Sequence, residues 1–390
     1  MAKKAEKTVI RNGVQYYYDR ITIGKDTKGK LIRKFIYAKT VTELKEKRKE
    51  LLKQIDEGVK VNTKITFEAF FKTWLFSVHF INKKLSTQER YEGLYRNYIK
   101  NSLVSNIDIK KINSLKIQEF YNSLIYDKNK TPSTIKMLNK LIKPCLTYAY
   151  NQGLTTRDFG KGLKVPKINS DKKATVNAFT LDEQKRFLLT LRDNKERAIY
   201  ITALGTGLRM GELLALRWAN IDFENSTITI EKTFKTITTV TENGRGKTIT
   251  IEQEPKTKNS KRTVPIPKNV LSELEEHKSK QDILKNKFKE VFQNNNLVFC
   301  TNLGTIIDES NLRRRYKTII KNSKIENKKF HDLRHTYATR LFEQDVPLKT
   351  IQILLGHSDI QITANTYLHV MNDEKLKAIE KINNIFDLEE

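Results

Sequence analysis

Residues 206–218 read TGLRMGELLALRW, and how this stretch folds decides what the rest of the chain must supply. An apolar helical pattern over 197–216 is interrupted by Gly205-Thr206-Gly207. Glycine enters turns that other residues avoid. The expectation is therefore a helix, a tight break and a second helix with Arg209 at its entrance. Glycine-rich turns ahead of helices often cradle phosphate. This turn is not followed by Gly-Lys-Ser/Thr, so a nucleotide-binding P-loop is excluded here. Taken alone, Arg209 reads as a surface charge.

Toward the C-terminus, three more segments hold unusual residues. PKTKNSKRTVPI (255–266) reads as a hairpin carrying Lys256, Lys258, Lys261 and Arg262, either a solvated basic turn or a DNA contact. In HDLRHTYATRLFEQ (331–344), His331 and Arg334 are three apart and share a helix face. His331 and His335 have a metal-like spacing, but no glutamate follows His331 and no cysteine is near, so no metal is expected. In LLGHSDIQITANTYLH (354–369), His357 follows a glycine and Tyr367 comes ten residues later. By itself Tyr367 reads as a half-buried aromatic. Beyond it, MNDEKLKAIEKINNIF (371–386) is amphipathic.

Toward the N-terminus, Thr180 with Glu183 forms a capping box that restarts helical structure. Residues 227–266, rich in Thr, Ile and Val, predict strands, and helices resume near 268. Residues 154–178 lack periodicity and read as a linker. Residues 64–153 predict helices, with starts or breaks at Ser86, Asn113 and Thr131-Pro132-Ser133. Residues 8–37 alternate apolar and polar around Asn12-Gly13 and 26–29, which predicts a small antiparallel sheet. A helix over 40–57, stopped at Gly58, completes that module.

The chain has 390 residues, enough for two or three domains. Its 73 Lys and Arg against 45 Asp and Glu leave a net charge of +28. Residues 1–173 hold 38 basic and 16 acidic groups, so 22 of those 28 charges lie there. Such a surplus repels itself unless a polyanion offsets it, and phosphate neutralisation releases counterions. Nucleic acid is the expected partner. No run of 18 apolar residues exists, so no membrane partner is expected. The N-terminus has no apolar secretory core, and Cys145 and Cys300 are too few and too far apart for a disulfide framework. Reduced cysteines in a cytoplasmic protein are expected.

In combination the segments resemble the tyrosine recombinase (phage-type integrase) family. The resemblance rests on Thr-Gly-Leu-Arg209-x-Gly-Glu-Leu, a hairpin lysine, His331-Asp-Leu-Arg334-His, Leu-Leu-Gly-His357 and Asn-Thr-Tyr367, in order over about 160 residues. It implies a multidomain α+β fold in three parts: residues 1–60, a small three-stranded sheet plus helix, similar to the arm-site DNA-binding domain of phage and conjugative-transposon integrases; residues 64–166, an all-α core-site DNA-binding domain; and residues 174–390, a mainly α catalytic domain with a small antiparallel sheet.

The same resemblance implies DNA breakage and rejoining with Tyr367 as nucleophile. Arg209 and Arg334 would grip the non-bridging oxygens of the scissile phosphate. His331 would assist removal of the phenolic proton, and His357 would hydrogen-bond the phosphate. Lys256, or failing it Lys258, would protonate the leaving 5′-hydroxyl. No cofactor or metal is implied. The implied partners are double-stranded DNA at core and arm sites, a homo-tetramer on paired sites, and accessory excision or DNA-bending proteins. The location is the bacterial cytoplasm at the nucleoid, and 371–386 would dock on its own or a neighbouring protomer. A type IB topoisomerase shares the chemistry, but residues 1–58 argue against it, since relaxation needs no second specific DNA site. A catalytically inactive DNA-binding factor is opposed by the expected residue type at all six positions.

Overall fold

The computed structural model describes residues 7–25, 31–56, 65–166, 177–254, 261–361 and 363–364. The chain divides into two compact units, Met1–Asn169 with Thr238–Lys247, and Ser170–Ile237 with Thr248–Glu390.

The first unit begins with β1 (Thr8–Arg11), β2 (Val14–Lys25) and β3 (Leu31–Ala38), an antiparallel sheet in that order, followed by α1 (Val41–Asp56). Asn12 and Gly13 both have positive φ (49° and 78°), the two-residue turn that suits the twist of paired strands. Helix α1 covers one face, burying Ile21 and Ala38 with Leu44 and Leu51. Asp19 lies on that side, 3.4 Å from Arg48. Because strand side chains alternate, and Tyr18 pairs with Tyr37, Arg20 with Phe35 and Val14 with Arg11, the opposite face gathers those residues and Arg33. The rings of Tyr18, Phe35 and Tyr37 lie 6.1–6.5 Å apart, and the Arg11 guanidinium sits 3.9 Å above Tyr37.

Four helices follow: α2 (Phe67–Trp74), α3 (Leu85–Leu94), α4 (Ser114–Tyr126) and α5 (Pro132–Asn151). Side-chain oxygens of Thr66, Asn113 and Thr131 accept from backbone N–H groups that helix starts leave unpaired. Pro132 occupies the first position of α5, where its missing N–H is harmless. The start predicted at Ser86 falls at Leu85, and Ser86 is buried in the first turn. Two single π-turns extend α2 and α3 at Leu75–His79 and Tyr95–Ile99. The core packs Phe67, Phe71, Ile117, Tyr121, Leu138 and Leu141, with the free thiol of Cys145 buried among such groups.

The second unit opens with α6 (Leu181–Thr190), whose Thr180–Glu183 capping box forms as predicted. Next come α7 (Arg197–Thr206), α8 (Met210–Leu214), β4 (Ile221–Asp222), β5 (Thr227–Ile230), β6 (Thr233–Thr241), β7 (Gly244–Gln253) and β8 (Arg262–Pro265). Helices α9 (Lys268–Lys287), α10 (Glu309–Asn322), α11 (His331–Glu343) and α12 (Leu348–Leu355) complete it. β6 and β7 form a two-stranded ribbon whose tip belongs to the first unit, where Val240 packs on the helical core and Arg245 approaches Glu89 at 3.5 Å.

The three-stranded sheet has the order β4-β5-β8. This revises the reading of Arg262 as a solvated or DNA-contacting basic group, while residues 255–260 of the segment 255–266 lie outside the described residues. The described part of it, β8, pairs with β5 through Ile228–Val264 and Ile230–Arg262. Alternation then turns Arg262 and Val264 inward, so Arg262 is buried instead of solvated. Cys300 is half-buried and free. Among the described residues, no helix is long and apolar enough to cross a membrane.

Candidate active site

Helix α7 ends where Gly207 takes φ 65°, and its N–H donates to the Ala203 carbonyl. A side chain there would be strained, and a Cβ would lie 2.4 Å from the Tyr337 ring. The chain reverses in two residues and delivers Arg209, in extended conformation, to the N-cap of α8. Glu212, one turn on, accepts from the Arg209 backbone N–H (2.9 Å) and from its Nη1 (2.7 Å). Glu212 is buried, while the Arg209 side chain keeps 36% exposure.

Arg262 donates Nη1 and Nη2 to the two oxygens of Glu212 (3.2 and 3.0 Å) and Nε to the Leu354 carbonyl (2.8 Å). Burial pulls the Glu212 carboxyl upward, but Arg262 and then Arg209 overcome it and hold its pKa at about 2. The carboxylate is thus an anion at any working pH.

Arg334, in the first turn of α11, is buried. It donates Nη1 to the Gly207 carbonyl at 2.8 Å and Nη2 to the Leu355 carbonyl. One planar group therefore ties the α7–α8 break to the end of α12. Gly356 ends α12, and His357 follows, its carbonyl accepting from Gln352 Nε2 at 3.0 Å. His357 Nδ1 lies 2.8 Å from the Thr363 hydroxyl. His331, the first residue of α11, is exposed at its edge, and its ring meets His335 edge-on at 4.8 Å.

The electrostatics report the same convergence. Partial burial, Arg334, Arg209, Arg262 and His331 together lower the His357 pKa to about 3. Partial burial, His335, Arg334 and Arg209 lower His331 to about 4. Both imidazoles are neutral near pH 7 because burial first, and the neighbouring positive groups after it, disfavour their charged forms. Arg209, His331, Arg334 and His357 therefore lie within electrostatic reach of one another. Lys256, Lys258, Tyr367 and the segment 371–386 lie outside the described residues.

Beside His331, an open cleft of about 1330 Å³ runs past Leu208 and along α10, where Arg313, Lys317 and Lys321, with Lys324 just beyond the helix, line it. An anion with a long charged backbone suits such a wall. Among the described residues no cluster of three His, Cys, Asp or Glu side chains is placed to hold a metal.

Sequence reasoning assigned no role to Glu212 and misjudged Arg262. The Arg209–Glu212 spacing of three was a usable signal for an ion pair across one helical turn. Nothing local marked Arg262 for burial, since its partners lie 50 and 92 residues away.

Comparison with known proteins follows the same lines. Residues 178–374 match the phage integrase family, and residues 66–125 match the phage integrase N-terminal SAM-like domain. A tyrosine recombinase XerC-like protein of Caldanaerobacter subterraneus subsp. tengcongensis is 43% identical over 393 residues, spanning 99% of this chain and 100% of that protein. The Tn1549 transposon integrase in complex with transposon right end DNA superposes with a TM-score of 0.64 at 21% identity, covering 82% of this chain and 99% of that one. A lambda integrase tetramer bound to a Holliday junction gives 0.54 at 17% identity, covering 90% and 95%. At these identities the two structures show a shared fold.

Proposed function

The chain belongs to the phage integrase family, and from that membership we propose that it is a site-specific recombinase that integrates or excises a mobile element or prophage. The observation that carries the reading is the meeting of two guanidiniums, Arg209 and Arg334, with two neutral imidazoles, His331 and His357, in one strongly positive pocket.

Cleaving a phosphodiester passes through a pentavalent phosphorus with added charge on its non-bridging oxygens. Fixed, permanently charged donors favour that state over the ground state. Arg209 and Arg334 supply them in forked geometry. A phenol loses its proton only near pH 10, so Tyr367 needs an acceptor at neutral pH. His331, neutral because its pKa is depressed, is suited to take it. In the tautomer in which the Thr363 hydroxyl donates to Nδ1 of His357, Nε2 holds the proton and donates to a phosphate oxygen. Lys256, or its neighbour Lys258, protonates the departing 5′-oxygen. Tyr367 then holds the DNA through a 3′-phosphotyrosyl bond. That bond keeps the energy of the one broken, so a second 5′-hydroxyl can displace the tyrosine without ATP.

The same reading divides the chain into an arm-site domain at 1–60, a core-site domain at 64–166 and a catalytic domain at 174–390. The family matches at 66–125 and 178–374 support the last two. The free face of the N-terminal sheet supports the first, because among the described residues it carries Arg11, Arg20 and Arg33 and no acidic residue. The partners in this reading are duplex DNA, three further copies of the chain on paired sites, and accessory excision or bending proteins, all in the bacterial cytoplasm.

The test is covalent trapping. A nicked half-site duplex, built from the ends of the element that encodes the chain, should become attached to the protein at Tyr367. Tyr367→Phe should keep DNA binding and lose the adduct. An adduct that persists in that variant would assign the nucleophile elsewhere.

A further inference from the structure

We propose that Arg262 is a positioning residue that sets where Arg209 and His357 stand against the scissile phosphate. The assignment rests on the recombinase reading above. All three guanidinium nitrogens of Arg262 are engaged by Glu212 and the Leu354 carbonyl, so Arg262 is assigned a role through these partners and not on DNA. Its donors are directed inward in three named bonds, two to Glu212 and one to the Leu354 carbonyl. Glu212 fixes Arg209 at both ends, through the backbone N–H and through Nη1. Leu354 lies three residues before His357, at the end of α12. A single rigid guanidinium thus fastens the turn that presents one phosphate-gripping group to the turn that presents another.

The arrangement also decides what Arg209 is free to do. A carboxylate beside an arginine tends to take two parallel hydrogen bonds from it. Here Arg262 engages both oxygens of Glu212, and Arg209 contributes a single side-chain bond. Without Arg262, Glu212 would draw Arg209 into a full forked pair and turn it from the phosphate. The site would remain assembled and charged but would be misaligned. Arg262 also opens β8, six residues after Lys256 in the sequence.

The experiment compares Arg262→Gln and Arg262→Lys with the full-length wild-type chain on two half-site duplexes. One carries the natural scissile phosphate. The other carries a methylphosphonate there, in which a methyl group replaces one charged non-bridging oxygen. Thermal melting checks folding, and gel shift measures DNA affinity. If Arg262→Gln fails to fold, because it leaves Glu212 buried with less compensation, Arg262→Lys keeps a positive charge and carries the test. An ammonium cannot span Glu212 and Leu354 at once. On the natural phosphate, adduct formation should slow by about 100-fold, the scale of a misplacement near 1 Å, with affinity within about twofold. On the methylphosphonate the deficit should shrink below about tenfold, since less charge remains for Arg209 to meet. A folded Arg262→Lys that cleaves at the wild-type rate would overturn the proposal. So would an equal deficit on both duplexes, which marks general loosening. Absence of any adduct with the wild-type chain would instead strike the recombinase reading, and this assignment with it.

Discussion

Arg11, Arg20 and Arg33 stand in solvent on the free face of the N-terminal sheet, whereas Arg262 and Arg334 are buried in the second unit with their hydrogen bonds committed to named partners. The first set is exposed to water, and it gains energy mainly when a polyanion releases its counterions. The second set is already desolvated and oriented, so it acts by geometry. The bulk charge follows the first set only. Residues 1–173 carry 22 of the 28 net charges, while the part that holds the chemistry has a surplus of six. On the recombinase reading, net charge locates where DNA is held, and buried, bonded charge locates where it is changed.

The sharpest way to break this comparison is to keep the charge of a buried arginine and remove its shape. Arg334→Lys retains the cation but cannot donate to the Gly207 and Leu355 carbonyls while also forking onto a phosphate. Single-turnover cleavage of a half-site duplex should fall by roughly 10²–10³, the usual effect of losing a preorganised donor. The melting temperature should fall as well, because the α7–α8 break and the end of α12 lose their tie. Near-normal cleavage by this variant would show that charge alone suffices at Arg334, and the contrast between the two sets would dissolve.

A smaller effect is expected on the sheet. Arg20→Ala combined with Arg33→Ala should weaken binding to arm-site duplex and lower the slope of log affinity against log salt by about 2, near 0.9 for each lost phosphate contact. Cleavage of a core half-site at saturating protein should not change. An unaltered salt slope would mean that this face does not meet the DNA backbone, and the N-terminal module would need another role.

These contrasts also explain what could be read in the sequence. The sheet at 8–37, the caps at Asn113, Thr131 and Thr180, and the break at Gly207 were legible because each is specified by neighbours within a few residues. The convergence of Arg209, His331, Arg334 and His357 was legible only through the order of motifs, since no local rule brings residues 148 positions apart together. Arg262 was misread for the same reason. In KTKNSKRTVPI it looks like one more basic group, and only its pairing to β5, with partners 50 and 92 residues away, turns it inward. The π-turns after α2 and α3 left no local mark either.

The smallest expected effect concerns protons, and it probes whether the crowding of cations that suits the site to a phosphate also burdens the free protein. His331 and His357 titrate near 4 and 3 when folded, against about 6.5 for an unfolded histidine. The unfolded chain therefore binds protons more readily below pH 6.5, and stability falls as pH drops from there toward 4. Well above pH 6.5 both states are neutral at these positions and the burden is absent. Solvent at the exposed edge of His331 screens its share, so His357 should dominate. The urea midpoint of the wild-type chain should decrease between pH 7 and pH 5. His357→Gln, which has nothing to protonate, should show a shallower decrease across the same interval. A bound phosphodiester should flatten the wild-type curve too, because it offsets the guanidiniums that depress both imidazoles. If the two proteins decline in parallel, the folded state does not resist protonation at His357, and the electrostatic picture of the site would have to be redrawn around the other buried ionisable groups.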